Sequence, residues 1–155
     1  MNYLLTTEER SQNVTNLLNG TITSIKNVIP LELNLDKPQI SEQSLKIEFG
    51  VLIGITGDIK GKMILNGDPA VFGYIGHKMF GMPLEGEMLS SFSGELGNMI
   101  AGGMSTNIIE QGLGTDITSP TILEGKTTLR GYKKALLLPV SFESAGTMNI
   151  YLLLD

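Results

Sequence analysis

The sequence predicts an α/β (α+β) domain in which long helices pack against a mostly antiparallel sheet. Three observations carry that expectation. Two long stretches place apolar side chains three and four residues apart, the period of an amphipathic helix. Stretches with strand-like composition follow each of them. The order also recurs: Asn16 is followed by 21 residues and then Pro38-Gln39-Ile40, and Asn98 by 21 residues and then Pro120-Thr121-Ile122. A degenerate twofold repeat at an offset of 82 residues would place two equivalent helices on one shared sheet.

Taken in order, Thr6 or Thr7 can cap a first helix, and Glu8 and Glu9 suit its positive end. Val14, Leu17, Leu18, Ile22, Ile25, Val28 and Ile29 keep helical spacing until Pro30 stops the run. Residues 31–38 read as mostly extended. Residues 44–56 begin as an alternating strand and become apolar on both faces, as a strand entering a sheet centre does. Gly57-Asp58 marks a turn, and residues 59–65 return as a second strand. Asp68-Pro69 supplies a cap and a first-position proline for a short helix that Gly81 and Pro83 end. A central helix spans residues 89–109 and ends near Gly112-Leu113-Gly114. Residues 121–123 and 127–131 read as two short strands. Residues 134–143 and 147–154 read as a hairpin across Ser144-Ala145-Gly146. Pro139 cannot donate to a ladder, so its strand should have a free edge or a bulge, and a free edge is a place for another subunit to pair.

A chain of 155 residues, 41% hydrophobic and 17% charged, suits a single domain, taken as 1–155. Its net charge of -5 repels phosphate backbones, which argues against nucleic-acid binding. There is no cysteine, so disulfides and thiolate metal sites are excluded. With one histidine and no suitable carboxylate spacing, no metal site is expected. Neither a signal sequence nor a membrane-length apolar run is seen, so a cytoplasmic protein is expected, not a membrane one. Gly125-Lys126-Thr127 resembles the end of a phosphate-binding loop but has Pro120 where that loop needs glycine. His77 reads as a surface residue, because nothing beside it forms a triad. Met88, Met99 and Met104 read as core filler.

The central helix holds the most informative pattern. Leu89, Phe92, Leu96, Met99, Ile100 and Ile108 share one face, whereas Ser91, Glu95, Asn98 and Gly102 share another. A carboxylate and a carboxamide therefore stand one turn apart on the polar side. Gly94, Gly97, Gly102 and Gly103 together give up about 4 kcal/mol of helix propensity. Close approach of another backbone is the usual reason for such a concession.

Ser91-x3-Glu95-x2-Asn98-x21-Pro120 resembles the signature of the CheC, CheX and FliY family of chemotaxis phosphatases, and the single copy points to the CheX branch. The likeness extends through residues 93–102 and to Gly54-Ile55-Thr56-Gly57 and residues 116–121. The resemblance implies a CheC-like fold and a phosphatase that hydrolyses the aspartyl-phosphate of CheY, the response regulator of chemotaxis. It assigns the family's acid to Glu95 and its amide to Asn98, the acid pairing with a regulator lysine and the amide aligning the attacking water. It further implies Mg2+ held by the receiver rather than by this chain, and a homodimer joined through a sheet edge. Partner contacts are expected at Ser91, Gly94, Gly97 and Gly102, since the glycines let a partner's backbone come close. Packing inside the domain is the equal alternative for Gly97, and a capping or spacing role is the alternative for Ser91. The alternatives are a non-catalytic receiver-binding or flagellar-switch-like module, and a phosphatase for a receiver outside chemotaxis.

Overall fold

The structure, a computed structural model, describes residues 7–41 and 44–155. Helix α1 (Thr7–Val28) leads into two short strands, β1 (Leu33–Leu35) and β2 (Gln39–Ile40). Strands β3 (Leu45–Gly57) and β4 (Gly61–Asn66) form a hairpin, followed by α2 (Pro69–Phe80) and α3 (Gly86–Ile108). The chain closes with β5 (Thr115–Ile117), β6 (Thr121–Leu129), β7 (Lys134–Phe142) and β8 (Gly146–Leu154). All strand pairs are antiparallel, in the order β1-β7-β8-β4-β3-β5, with β2 on β7 and β6 on β3.

The expected class and the order of elements match this architecture, and the local signals act where the sequence puts them. Asp68 accepts a hydrogen bond from the Ala70 N–H at 2.9 Å, and Gly81 closes α2 in the left-handed region at φ 74°. The expected cap at Thr6, or at the Thr7 side chain, lies outside the described residues.

Three expectations need correction. Residues 121–129 form one strand rather than two short ones. The register slips by one residue between Ile47 and Phe49, where β6 carries an extra residue and Gly125 has φ 84°. The gap left between the two expected strands is a bulge that the ladder absorbs. Residues 115–117 were not expected as a strand; they pair with Ile55, Thr56 and Gly57 of β3. Nor does β7 have a free edge at Pro139. β1 and β2 cover that side, and Pro139 stands in the gap between them, its carbonyl accepting from the Asp36 N–H at 3.1 Å. Its nitrogen points to the same side as that carbonyl, so no bond to β8 is lost.

The repeat is visible in the register. Leu33 stands opposite Phe142 and Leu35 opposite Val140; 82 positions on, Thr115 stands opposite Gly57 and Ile117 opposite Ile55. Gln39 faces Leu137, as Thr121 faces Leu52. β4 and β8, which pair with Ile64 opposite Tyr151, meet on the local twofold axis. α1 and α3 are thus equivalent helices packed side by side on one sheet.

One core joins them. Leu17 and Ile25 of α1 and Phe92, Leu96, Ile100 and Met104 of α3 meet Val51, Ile53, Met63, Leu138, Ile150 and Leu152 of the sheet. A smaller cluster of Leu45, Ile47, Ile64, Ala135 and Leu153 contains no helical residue.

Candidate active site

α3 earns its position through the side chains it buries. Phe92, Leu96, Ile100, Met104 and Ile108 form the stripe that the sequence period requires, at most 7% exposed. Hydrogen bonds pin the helix along its length. Ser90 Oγ donates to Glu124 Oε1 at 2.8 Å, tying its start to β6. Ser24 Oγ of α1 donates to the Ile100 carbonyl at 2.7 Å, and Ser105 Oγ donates to the Thr115 carbonyl at 2.8 Å. A helix fixed to three elements holds its outer face still.

That outer face carries Ser91 and Glu95, both exposed, and Asn98, which is half-buried. Glu95 and Asn98 are three residues apart, so their Cβ atoms stand about 5–6 Å apart on neighbouring turns. Among the described residues no side-chain hydrogen bond or ion pair engages either of them. A carboxylate and a carboxamide without internal partners are left free for a second molecule.

The glycines divide between the two expected uses: Gly97 takes the packing alternative, and Gly94, expected at a partner, is also buried. Gly94 and Gly97 are buried inside the domain and are not offered to a partner. A Cβ on Gly97 would lie 2.9 Å from Val51 Cγ1 and 3.0 Å from Ile53 Cδ1, so this glycine seats the helix on β3. At Gly94 a Cβ would meet Ile122 Cδ1 at 3.3 Å and Pro120 Cγ at 3.5 Å. Gly103 packs on Ser24 of α1. Gly102 is half-buried with room beside it, Ile117 Cδ1 being 3.8 Å from where a Cβ would stand.

These contacts explain the distant parts of the signature. Ile117 lies beside Gly102, and Pro120 beside Gly94, so residues 117–120 run along α3 abreast of the turn that carries Asn98. The strip is held from behind by β3: the Gly54 N–H donates to Thr118 Oγ1 at 2.8 Å, and the Thr118 N–H donates to the Gly54 carbonyl at 3.0 Å. The Gly54–Gly57 and Asp116–Thr121 segments are therefore one structural unit behind the helix. Sequence spacing singled out Pro120 without giving it a role; its ring fills the space that Gly94 leaves.

The other flank of α3 was missed. Met79, Phe80, Met82, Leu84, Glu87, Met88, Ser91, Phe92, Glu95 and Met99 line a groove of about 760 Å³ between the end of α2 and the start of α3. Met104 is core, as expected, but Met88 is 57% exposed and belongs to this groove with Met99. The signal was in the sequence: Phe80 and Met82 flank Gly81, and Met88 follows Pro83, all near a helix end where few apolar side chains are needed. His77 is exposed, and no group of three or more His, Cys, Asp or Glu residues among those described is arranged to hold a metal ion.

The sequence matches the family profile described as chemotaxis phosphatase CheX over residues 49–141, which includes Glu95, Asn98 and Pro120. The chain belongs to the CheX family. A relative named CheY-P phosphatase CheX, from Thermotoga maritima, is 30% identical over 145 residues, 90% of this chain and 94% of that protein. A crystal structure of a CheC-like superfamily protein from a Shewanella species superposes with a TM-score of 0.76 at 26% identity, covering 92% of this chain and 96% of that one. A CheX–CheY complex with BeF3 and Mg2+ from Borrelia burgdorferi shares the fold, with TM-score 0.76 and 21% identity over 92% of this chain and 97% of that one. Among the described residues no helix is long and apolar enough to cross a membrane.

Proposed function

We propose that this chain hydrolyses the aspartyl-phosphate of a CheY-type receiver, with Glu95 and Asn98 of α3 entering the receiver's phosphorylation site. The observation that carries this reading is the carboxylate–carboxamide pair, Glu95 exposed and Asn98 half-buried, with no side-chain partner among the described residues, on the well-packed helix of a CheX-family chain. The name of the Thermotoga maritima relative, a CheY-P phosphatase, supports the choice of substrate.

In acyl-phosphate hydrolysis water attacks phosphorus, the bond from phosphorus to the aspartyl oxygen breaks, and that oxygen leaves as the receiver's carboxylate. The transition state is loose, so the water needs alignment more than deprotonation. The Asn98 carboxamide suits this role, since its oxygen accepts from the water and its N–H2 donates to a phosphoryl oxygen without adding charge. The Glu95 carboxylate would repel the phosphoryl group, so it serves as an anchor on a receiver lysine. Mg2+ belongs to the receiver in this reading, in keeping with the composition of the Borrelia burgdorferi complex. Ser91 and Gly102, at the two ends of the exposed ridge, contact the receiver beside the pair.

The substrate is a cytoplasmic chemotaxis receiver in this reading, and the protein is a homodimer. β6, a nine-residue strand that pairs among the described residues only with β3, is the longest of their edges open to a second copy. A non-catalytic module would have no use for both halves of the pair. The deciding experiment follows phosphate loss from a phosphorylated CheY with and without the protein. Wild type speeds the loss, and Asn98→Ala, which removes no side-chain hydrogen bond among the described residues, reduces kcat at least a hundredfold with an unchanged circular-dichroism spectrum. Equal rates for the two proteins would refute the role of Asn98.

A further inference from the structure

The groove beside Glu95 is the least expected feature of the surface. Five large apolar residues are strongly exposed among those described, and three of them, Phe80 (60%), Met82 (50%) and Met88 (57%), line this one groove. Solvent-facing apolar residues gathered in one patch mark an interaction surface, whereas scattered ones need no explanation. Methionine suits such a surface because its unbranched, polarizable side chain adapts to the shape that enters.

The charges on the rim are of one sign. Glu87 and Glu95 line the groove, no lysine or arginine does, and neither carboxylate is engaged in an ion pair or side-chain hydrogen bond among the described residues. An apolar trough with two free carboxylates fits a segment that presents an apolar side chain next to a cation. Glu95 is at once part of this rim and the residue that meets the receiver's lysine, so the trough is continuous with the site proposed above.

We infer that the groove between α2 and α3 is the receiver's docking surface: an apolar side chain of the receiver, next to the lysine held by Glu95, seats among Met79, Phe80, Met82 and Met88. The inference rests on the reading of α3 as the receiver-facing helix and adds a division of labour to it. Asn98 acts on the reacting water, and the methionine groove sets which receiver is held and how tightly. Binding through a flexible apolar trough makes affinity depend on the receiver's apolar contour as well as on its phosphate.

The test uses the full chain and a CheY receiver with Mg2+, phosphorylated for kinetics and loaded with beryllofluoride for calorimetry. Met82→Ser with Met88→Ser removes exposed apolar surface without adding charge, and Ile109→Ser, at the far end of α3, is the control. The double variant should raise KM and the calorimetric Kd at least tenfold while kcat changes less than twofold, with Ile109→Ser matching wild type. Unchanged KM and Kd in the double variant, with wild type active, would overturn the groove and leave the catalytic reading standing. Weaker binding by the double variant, with wild type binding the receiver but failing to speed phosphate loss, would keep the groove and sink the catalytic reading. A wild type that binds no receiver would end both. Conversion of a dimer to a monomer by the double variant, seen by sedimentation, would assign the groove to self-association and overturn the inference.

Discussion

Gly97 offers the sharpest test of how α3 is seated. Adding a methyl there brings it 2.9 Å from Val51 Cγ1 and 3.0 Å from Ile53 Cδ1, closer than side-chain carbons pack. Val51 and Ile53 are both fully buried on β3, which is flanked on both sides by paired strands, so neither can step aside. Overpacking of this kind costs about 1–3 kcal/mol. The exchange of glycine for alanine inside a helix returns about 1 kcal/mol. Gly97→Ala should therefore be destabilising by about 1 kcal/mol, taking the middle of the overpacking range. Gly102→Ala makes the same chemical change where the nearest atom is 3.8 Å away, an ordinary contact, so the full propensity gain of about 1 kcal/mol remains. The two variants should differ by about 2 kcal/mol in urea unfolding read with a common slope. The equivalent difference in Tm is about 4–8 °C for a chain of this size. If Gly97→Ala proved as stable as Gly102→Ala, the seating of α3 on β3 through this glycine would be wrong.

Other perturbations test separate parts. Glu95→Gln keeps shape and removes the charge, so it should raise KM for the phosphorylated receiver by about tenfold, the loss of one charge-assisted contact worth about 1.5 kcal/mol; phosphate-release kinetics read it directly. Ser24→Ala removes the buried hydroxyl that donates to the Ile100 carbonyl, which keeps its bond within α3, and should cost about 0.5–1.5 kcal/mol in denaturant unfolding. Tyr151 is held above its ordinary value of 10.0, chiefly because burial disfavours the phenolate and in spite of its hydrogen bond with Asn66. The unfolded chain then ionises first, so the tyrosine's contribution is intact below pH 10 and is lost as pH rises through the folded value. Tyr151→Phe should flatten that alkaline fall in stability, which a pH series of thermal melts would show.

What the sequence disclosed, it disclosed through local chemistry. Helical spacing in residues 14–29 and 92–108, the Asp68-Pro69 start and the turn at Gly146 all depend on neighbours within a few residues, and each matches the fold. The exposed polar ridge of α3 is a matter of helical phase, which is why Ser91, Glu95 and Asn98 emerge on the surface as read. Contacts between distant segments were less visible. Nothing near Gly97 distinguishes a glycine that faces a partner from one that faces Val51, because Val51 lies on a different element. Pro139 announced a broken ladder but not that β1 and β2 would meet β7 on either side of it. Residues 124–126 read as a gap between two short strands, and only the pairing with β3 shows a bulge within one strand. The methionine groove depends on how the end of α2 meets the start of α3, an angle that no local pattern encodes.

This sheet carries two equivalent helices whose outward side chains differ. On α1 the place of Asn98 is taken by Asn16, whose carboxamide oxygen is already occupied by the Gln12 amide at 3.2 Å, and the place of Glu95 is taken by neutral Asn13. On α3 the corresponding side chains have no hydrogen-bond partner among the described residues; on α1 the carboxamide is engaged within its own helix and the acid's place is neutral. A titration should accordingly saturate at one receiver per chain, the stoichiometry of a symmetric frame that does its work from one side.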